Sequence, residues 1–315
     1  MRFEGFFGNA ALRQRLDAAF AAGKVSHCYL LCGPNGSGKR TLARLMAAAM
    51  QCQSADAPCG ICPSCRKVFS ATHPDVITVD DDEHVFLGVD VARATGSDAF
   101  ERPNEGKKKI YIIPRGDALN VPAQNALLKI LEEPPSYAVF LILTTNEQAL
   151  LPTVRSRCVR LHLAPIAFEE AKAALHAKFP NESDETLRAA HARAGGFLGQ
   201  TEALLADADD EKTAAFCSSY AVGDRLGVLA LLAGMEKRKR PEVTDTLWQW
   251  HALLVQALEA KSGFAAPLPQ AAQIARGRTN AQLMRAIQVT SRAADALEQN
   301  ASVSTVLGWL AGRLI

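Results

Sequence analysis

A chain of 315 residues is long for a single core and suits two or three domains. Its 48% hydrophobic and 22% charged residues exclude wholesale disorder and fit a globular protein. With Lys+Arg 35 against Asp+Glu 33 the formal charge is only +2, so bulk electrostatics would hold nucleic acid weakly, and any such contact must come from a local surface or an assembly.

The opening stretch, MRFEGFFGNAALRQRL, lacks the apolar core of a signal peptide, and no later apolar run is long enough to cross a bilayer. The expected location is therefore the cytoplasm, with no membrane partner. Eight cysteines in such a chain argue for metal or chemistry before disulfides.

In chain order, the first half alternates short apolar runs with helical patterns, as α/β folds do. HCYLLCG (27–33) predicts a strand, and KRTLARLMAAAM (39–50) a helix with Leu42, Leu45, Met46 and Ala49 on one face. VITVD (76–80), KIYII (109–113) and AVFLILTT (138–145) predict further strands, whose continuous apolar character fits a parallel sheet covered on both faces. Between the last two, Asn120 is placed to cap a helix, Pro122 to sit in its first turn, and Ala123, Leu127, Ile130 and Leu131 to form its apolar stripe until Pro134-Pro135 ends it.

After RLHLAP (160–165) the strand signal fades and Ala/Leu-rich helical periodicity takes over. The expected division is an α/β domain over 1–165, a small helical domain over 166–208 and a helical bundle over 209–315. In the bundle, Trp248, Leu253, Leu254 and Leu258 share one helix, and Val303, Val306, Leu307, Leu310 and Leu314 the last.

Gly33, Pro34, Asn35, Gly36, Ser37, Gly38 and Lys39 form G-x-x-x-x-G-K between a predicted strand and a predicted helix. Glycines let backbone N–H groups wrap a phosphate at a helix N-terminus, and Lys39 is placed to reach its outer oxygens. The plainer alternative is a glycine-rich turn that only starts a helix. The next residue, where Ser or Thr would ligate magnesium, is Arg40; Thr41 is one position later, turned by about 100° around the helix axis.

The metal site is disrupted a second time. At the end of the 109–113 strand, where carboxylates would hold magnesium and orient water, the chain has Pro114-Arg115, and Asp117 comes three residues late. These residues allow ATP or ADP binding and argue against magnesium-dependent hydrolysis, with an active site rearranged around Asp117 as the alternative.

Cys52, Cys59, Cys62 and Cys65, spaced C-x6-C-x2-C-x2-C, can meet one tetrahedral zinc, and all-sulfur ligation marks a structural site. A thiol-disulfide pair in CPSC is the competing reading. Cys28, Cys32, Cys158 and Cys217 read as small buried hydrophobes, and His27 and His73 as structural. Arg155, Arg157 and Arg160, just past the sheet, read on their own as ion-pair residues, and EKRKRPE (236–242) as a solvated loop or helix end.

The stretches HCYLLCGPNGSGKRTLA, the four-cysteine insert, CRKVFSATHPDV, KIYIIP, QNALLKILEEPP and LPTVRSRCVRLHL, in that order, resemble bacterial clamp-loader subunits of DNA polymerase III. The resemblance is close over roughly the first half of the chain and extends to the rest mainly in layout. It implies a RecA-like AAA+ parallel-sheet domain with a zinc module at 52–65, a small helical lid, and an all-α C-terminal collar that joins a ring.

The implied partners are gamma/tau and delta subunits, the sliding clamp, and primer-template DNA through the assembly. The family's motor subunits carry Ser or Thr after the loop lysine and an Asp-Glu pair after the YII strand. Arg40 and Pro114-Arg115 therefore point to the non-hydrolysing delta-prime branch over the gamma/tau motor. The missing arginine in AGGFLGQ (194–200) points the same way. The resemblance also implies that Arg157, within Ser156-Arg157-Cys158, acts on a neighbouring subunit's ATP. A free-standing zinc-ribbon DNA binder is disfavoured by the near-neutral charge.

Overall fold

The computed structural model describes residues 1–81, 86–209, 211–263, 269–299 and 301–314, without side chains at 207–209 and 211. The chain divides into two compact units, Met1–Ala173 with Gly196–Gln200, and Ala174–Gly195 with Thr201–Ile315.

In the first unit the strands β1 (Cys28–Cys32), β2 (Val76–Thr78), β3 (Lys109–Ile113), β4 (Ala138–Thr144) and β5 (Val159–His162) form one parallel sheet in the order β2-β3-β4-β1-β5. β1, β3 and β4 are buried along their whole length, which explains apolar runs broken only at their ends by Lys109 and Thr144, each hydrogen-bonded. Strand alternation divides these residues between two cores. Tyr29 and Leu31 pack with Leu42 and Met46 on one face, while Cys28, Leu30 and Cys32 pack with Leu127, Ile130 and Phe140 on the other.

The helices of this unit are α1 (Ala10–Ala21), α2 (Lys39–Gln51), α3 (Pro63–Phe69), α4 (Val89–Asp98), α5 (Val121–Glu132) and the short α6 (Pro152–Arg155). α2 begins at Gly38, whose positive φ of 93° lets the loop turn directly from β1 into the helix. On α5 the Asn120 side chain accepts a hydrogen bond from the Ala123 N–H, and Ala123, Leu127, Ile130 and Leu131 are buried, as the pattern predicts. α1 and α4 were not among the predicted elements. α1 has only Leu12 and Leu16 buried and α4 only Ala92 and Thr95, too few apolar positions to mark a face.

Helices α7 (Phe168–Lys178), α8 (Asp184–Arg193) and α9 (Leu198–Asp209) follow. The second unit continues with α10 (Glu211–Val222), α11 (Arg225–Met235), α12 (Arg240–Lys261), α13 (Pro269–Gly277), α14 (Asn280–Glu298) and α15 (Val303–Ala311). Its core centres on Trp250, which is fully buried and stacked on Phe216 with ring centroids 4.0 Å apart. Leu253, Leu254, Val306, Leu307, Leu310 and Leu314 join this core, while Trp248, Leu258 and Val303 are partly buried against it. Arg240 to Glu242, within the basic run, open α12, a helix end as expected.

Candidate functional site

The C-terminal ends of parallel strands, where chain direction brings several loops together, are the usual ligand edge of an α/β sheet. Here that edge carries the glycine-rich loop after β1. Lys39 is buried, and its Nζ donates to the carbonyl oxygens of Gly33 (2.5 Å) and Pro34 (2.7 Å), so the ammonium folds back onto its own loop. Burial lowers its pKa, with Asp117 pulling in the opposite direction. The Ser37 hydroxyl is buried and has no partner among the described residues, which leaves the loop with an unsatisfied polar atom suited to a phosphate oxygen.

Gly36, at φ 72°, lies against the backbone of Gly199 and Gln200, and the Gly199 N–H donates to the Gly36 carbonyl (2.9 Å). A Cβ on Gly36 would stand 2.4 Å from the Gln200 nitrogen, so this approach requires glycine. Arg40 and Thr41 are both exposed.

At the end of β3 the cation expected beside the loop turns elsewhere. Arg115 Nε donates to Asp80 Oδ1 (2.7 Å), and Nη2 lies 2.6 Å from the same oxygen and 2.5 Å from the Asp81 carbonyl. It therefore pairs with the acidic residues beyond β2. Asp117 Oδ2 accepts from the Thr145 N–H (3.2 Å) and from the Thr145 hydroxyl, which engages it at the end of β4.

The four cysteines converge. Cys52 caps α2, Cys62 caps α3 and accepts from the Cys65 N–H, and the four sulfurs lie within 4.8 Å of one another. Cys59 and Cys65, and likewise Cys62 and Cys52, are 4.0 Å apart, against about 3.8 Å for the edge of a tetrahedron with metal–sulfur distances of about 2.3 Å. The N–H groups of Ser54, Cys62 and Cys65 each point at a cysteine sulfur at 3.4 Å, an arrangement that stabilises thiolate.

N–H groups of Cys62 and Ile61 bring the Cys59 thiol down to about 6, while burial pushes Cys65 up to about 12. The donor set fits zinc. When bound, zinc would cross-link the loop between α2 and α3 and, with all four positions filled by sulfur, leave none for chemistry.

Arg157 follows α6. Its Nη1 donates to the Thr153 carbonyl (2.7 Å), and Nη2 makes an ion pair with Glu132 at the end of α5, both partners retaining solvent exposure. Such a pair contributes at most about 1 kcal/mol and is released at small cost. Arg155 donates to Gln148 Oε1 (2.8 Å). Cys28, Cys32 and Cys217 are buried as expected, but Cys158 is only partly so, and its sulfur lies 2.8 Å from that of Cys28. His73 is buried, with Nδ1 accepting from the Asp75 N–H (3.1 Å), a structural role.

One group escaped the sequence reading. Cys32, Glu147 and His162 are brought together at the ends of β1, β4 and β5. No local spacing announces them, because Cys32 and His162 come from different strands and Glu147 from the turn after a third.

The fold and these loops define a parallel α/β protein with a glycine-rich strand-to-helix loop. A sequence profile described as "DNA polymerase III, delta subunit" matches residues 8–167, slightly more than half the chain. The chain belongs to that family. It is 37% identical over 175 residues to the DNA polymerase III subunit delta' of Pseudomonas aeruginosa, covering 54% of this chain and 53% of that protein. It is also 29% identical over 279 residues to the DNA polymerase III subunit tau of Escherichia coli, covering 81% of this chain and 42% of that protein. The chain thus spans about half or less of the length of these relatives. A DNA polymerase III gamma subunit-related protein from Thermotoga maritima shares the fold, with a TM-score of 0.50 at 16% identity, over 95% of this chain and 99% of that one.

Proposed function

We propose that this chain is a delta-prime-like stator subunit of the bacterial clamp loader, an AAA+ assembly protein that works in DNA replication in the cytoplasm without hydrolysing ATP itself. The observation that carries this reading is the end of β3. Pro114-Arg115 stands where a motor subunit needs its carboxylates, Arg115 is tied to Asp80, and the loop lysine is followed by exposed Arg40. A phosphate loop without magnesium ligands can hold nucleotide through Gly33 to Lys39 with Arg40 and Thr41 beside it, but cannot organise the attacking water.

In this reading residues 1–165 form the AAA+ domain, 166–208 its lid and 209–315 the collar. The partners are gamma/tau and delta subunits, the sliding clamp and, through the assembly, primer-template DNA. Cys52, Cys59, Cys62 and Cys65 hold a structural zinc. Arg157 acts in trans: its guanidinium, released from Glu132, offsets charge on the phosphoryl group transferred at a neighbour's site, a contribution of about 10³–10⁵ in rate where such arginines have been removed or supplied.

The alternative is a gamma/tau-type motor. It is favoured by one observation, the electrostatic reach of Asp117 to Lys39. Two measurements separate them. The purified chain with magnesium should show no ATP turnover above a Lys39→Ala control; Lys39-dependent turnover would install the motor reading. In a loader reconstituted with gamma/tau and delta subunits, Arg157→Ala should leave assembly intact and abolish turnover at the one site it serves. Unchanged DNA- and clamp-stimulated turnover would sink the role given to Arg157.

A further inference from the structure

The geometry points to a second metal site, separate from the four-cysteine cluster, in which Cys32 Sγ, Glu147 Oε2 and His162 Nε2 bind one Zn²⁺ and leave a fourth position open. β1 pairs in parallel with both β4 and β5, and the register sets Cys32 directly opposite Thr144 on one side and His162 on the other. Residues in register on neighbouring strands project to the same face, so Cys32 and His162 stand side by side at the sheet's ligand edge.

Glu147 arrives from the turn that leaves β4. That turn is fixed by Thr144 Oγ1 donating to the Asn146 carbonyl (2.9 Å) and by Asn146 Oδ1 accepting from the Gln148 N–H (3.0 Å). The carboxylate is thereby held between the other two: Oε2 is 3.6 Å from Cys32 Sγ and 3.8 Å from His162 Nε2.

Those separations are what a zinc ion would impose. With bonds of about 2.3 Å to sulfur and about 2.0–2.1 Å to nitrogen and oxygen, tetrahedral ligands lie about 3.6 Å apart for S and O and about 3.3 Å for N and O. The sulfur–oxygen pair is already at that distance, the nitrogen–oxygen pair is about half an ångström beyond its own, and all three donor atoms lie within 4.8 Å of one another, so closing on a metal asks for a movement of the histidine. Its side chain has the freedom to do so, being 63% exposed while Cys32 is buried.

A thiolate and a carboxylate together bring two negative charges to the cation, which offsets the nearby Arg160 guanidinium. On binding, the Cys32 thiol releases its proton to solvent as the metal–sulfur bond forms. Three protein ligands with one open position is the pattern of a reactive or ligand-accepting zinc, unlike the closed four-sulfur cluster. The site adjoins the root of the glycine-rich loop, since Gly33 follows Cys32.

The test is a titration of the full chain with Zn²⁺ alone, read as equivalents bound by elemental analysis after removal of free metal. The expected result is two equivalents. His162→Ala and Glu147→Gln should each bind one, with the second weakened by more than about tenfold, since even outer-shell changes cost that much. Cys62→Ser should lose the tight equivalent and keep the other.

A single equivalent in the unmodified chain would overturn the proposal, and so would a second equivalent that survives both His162→Ala and Cys32→Ser. Because His162 is at the surface, its alanine variant should fold normally, so the test stands even if Cys32→Ser does not fold. None of these readouts depends on clamp loading, so the site and the stator reading stand or fall separately.

Discussion

Asp75, in the HPD of the CRKVFSATHPDV stretch, gives a prediction whose size follows from the structure. It is fully buried, and its carboxylate accepts three backbone N–H bonds from the loop that leads into β3: Asn104 to Oδ1 at 2.6 Å, Glu105 to Oδ2 at 2.9 Å and Gly106 to Oδ2 at 2.7 Å. Burial works against its ionisation, but the three donors outweigh it and hold its pKa below the ordinary carboxylate value.

Asp75→Asn keeps the shape but offers one oxygen to three donors. A buried N–H left without an acceptor costs about 1–3 kcal/mol, and the remaining bonds lose their charge assistance. Asn104 and Glu105 are exposed, so water recovers part of the loss, and the net cost is about 2 kcal/mol. Because the folded pKa is depressed, the carboxylate's contribution is fully present above the unfolded value of about 3.9 and is lost as pH falls through the lower folded value.

The assay is amide hydrogen exchange at residues 104–106 together with denaturant unfolding of the full chain at pH 7 and at pH 3. Asp75→Asn should lose protection at these amides, and its deficit relative to the parent should shrink at the lower pH. A cost below about 0.5 kcal/mol, or a deficit that does not vary with pH, would mean that the ionised Asp75 carboxylate does not hold this loop.

Three further outcomes are expected. Chelation of metal, or Cys62→Ser, should open the segment between α2 and α3 to proteolysis while leaving β1, β3 and β4 protected from exchange, because structural zinc binding is coupled to local folding; a segment that stays closed without metal would contradict this. Zinc affinity at the four-cysteine site, measured against a competing chelator, should also fall as pH falls, because metal must displace the Cys65 proton, and should fall more steeply below about 6, where the Cys59 thiol regains its own. In the helical unit, Trp250→Ala should cost about 3–5 kcal/mol in denaturant unfolding, whereas Trp250→Phe should cost much less, since it keeps the stack on Phe216 and removes a buried N–H that has no partner among the described residues. Equal losses for the two would mean that the ring stack is not what Trp250 supplies.

Much of the sheet was legible because its signals are local. A strand buried on both faces must be apolar throughout, a capped helix carries its Asn and Pro at fixed positions, and four cysteines within fourteen residues restrict themselves to one neighbourhood. α1 and α4 were missed because they bury too little to print a periodic face.

The departures at Arg40 and Pro114-Arg115 were equally plain in the sequence, but where the guanidinium of Arg115 goes was not. It swings to Asp80, a residue 35 positions away whose nearness depends on β2 lying beside β3. By itself the sequence determined the identity and order of the local motifs, because turns, caps and metal-ligand spacings are set by neighbours along the chain. Tertiary structure alone decided that Gly36 meets Gly199, that Arg157 rests on Glu132, and that Cys32, Glu147 and His162 share one corner. Each of those meetings joins segments at least fifteen residues apart, and the packing of strands, helices and loops, which no local pattern encodes, brings them together.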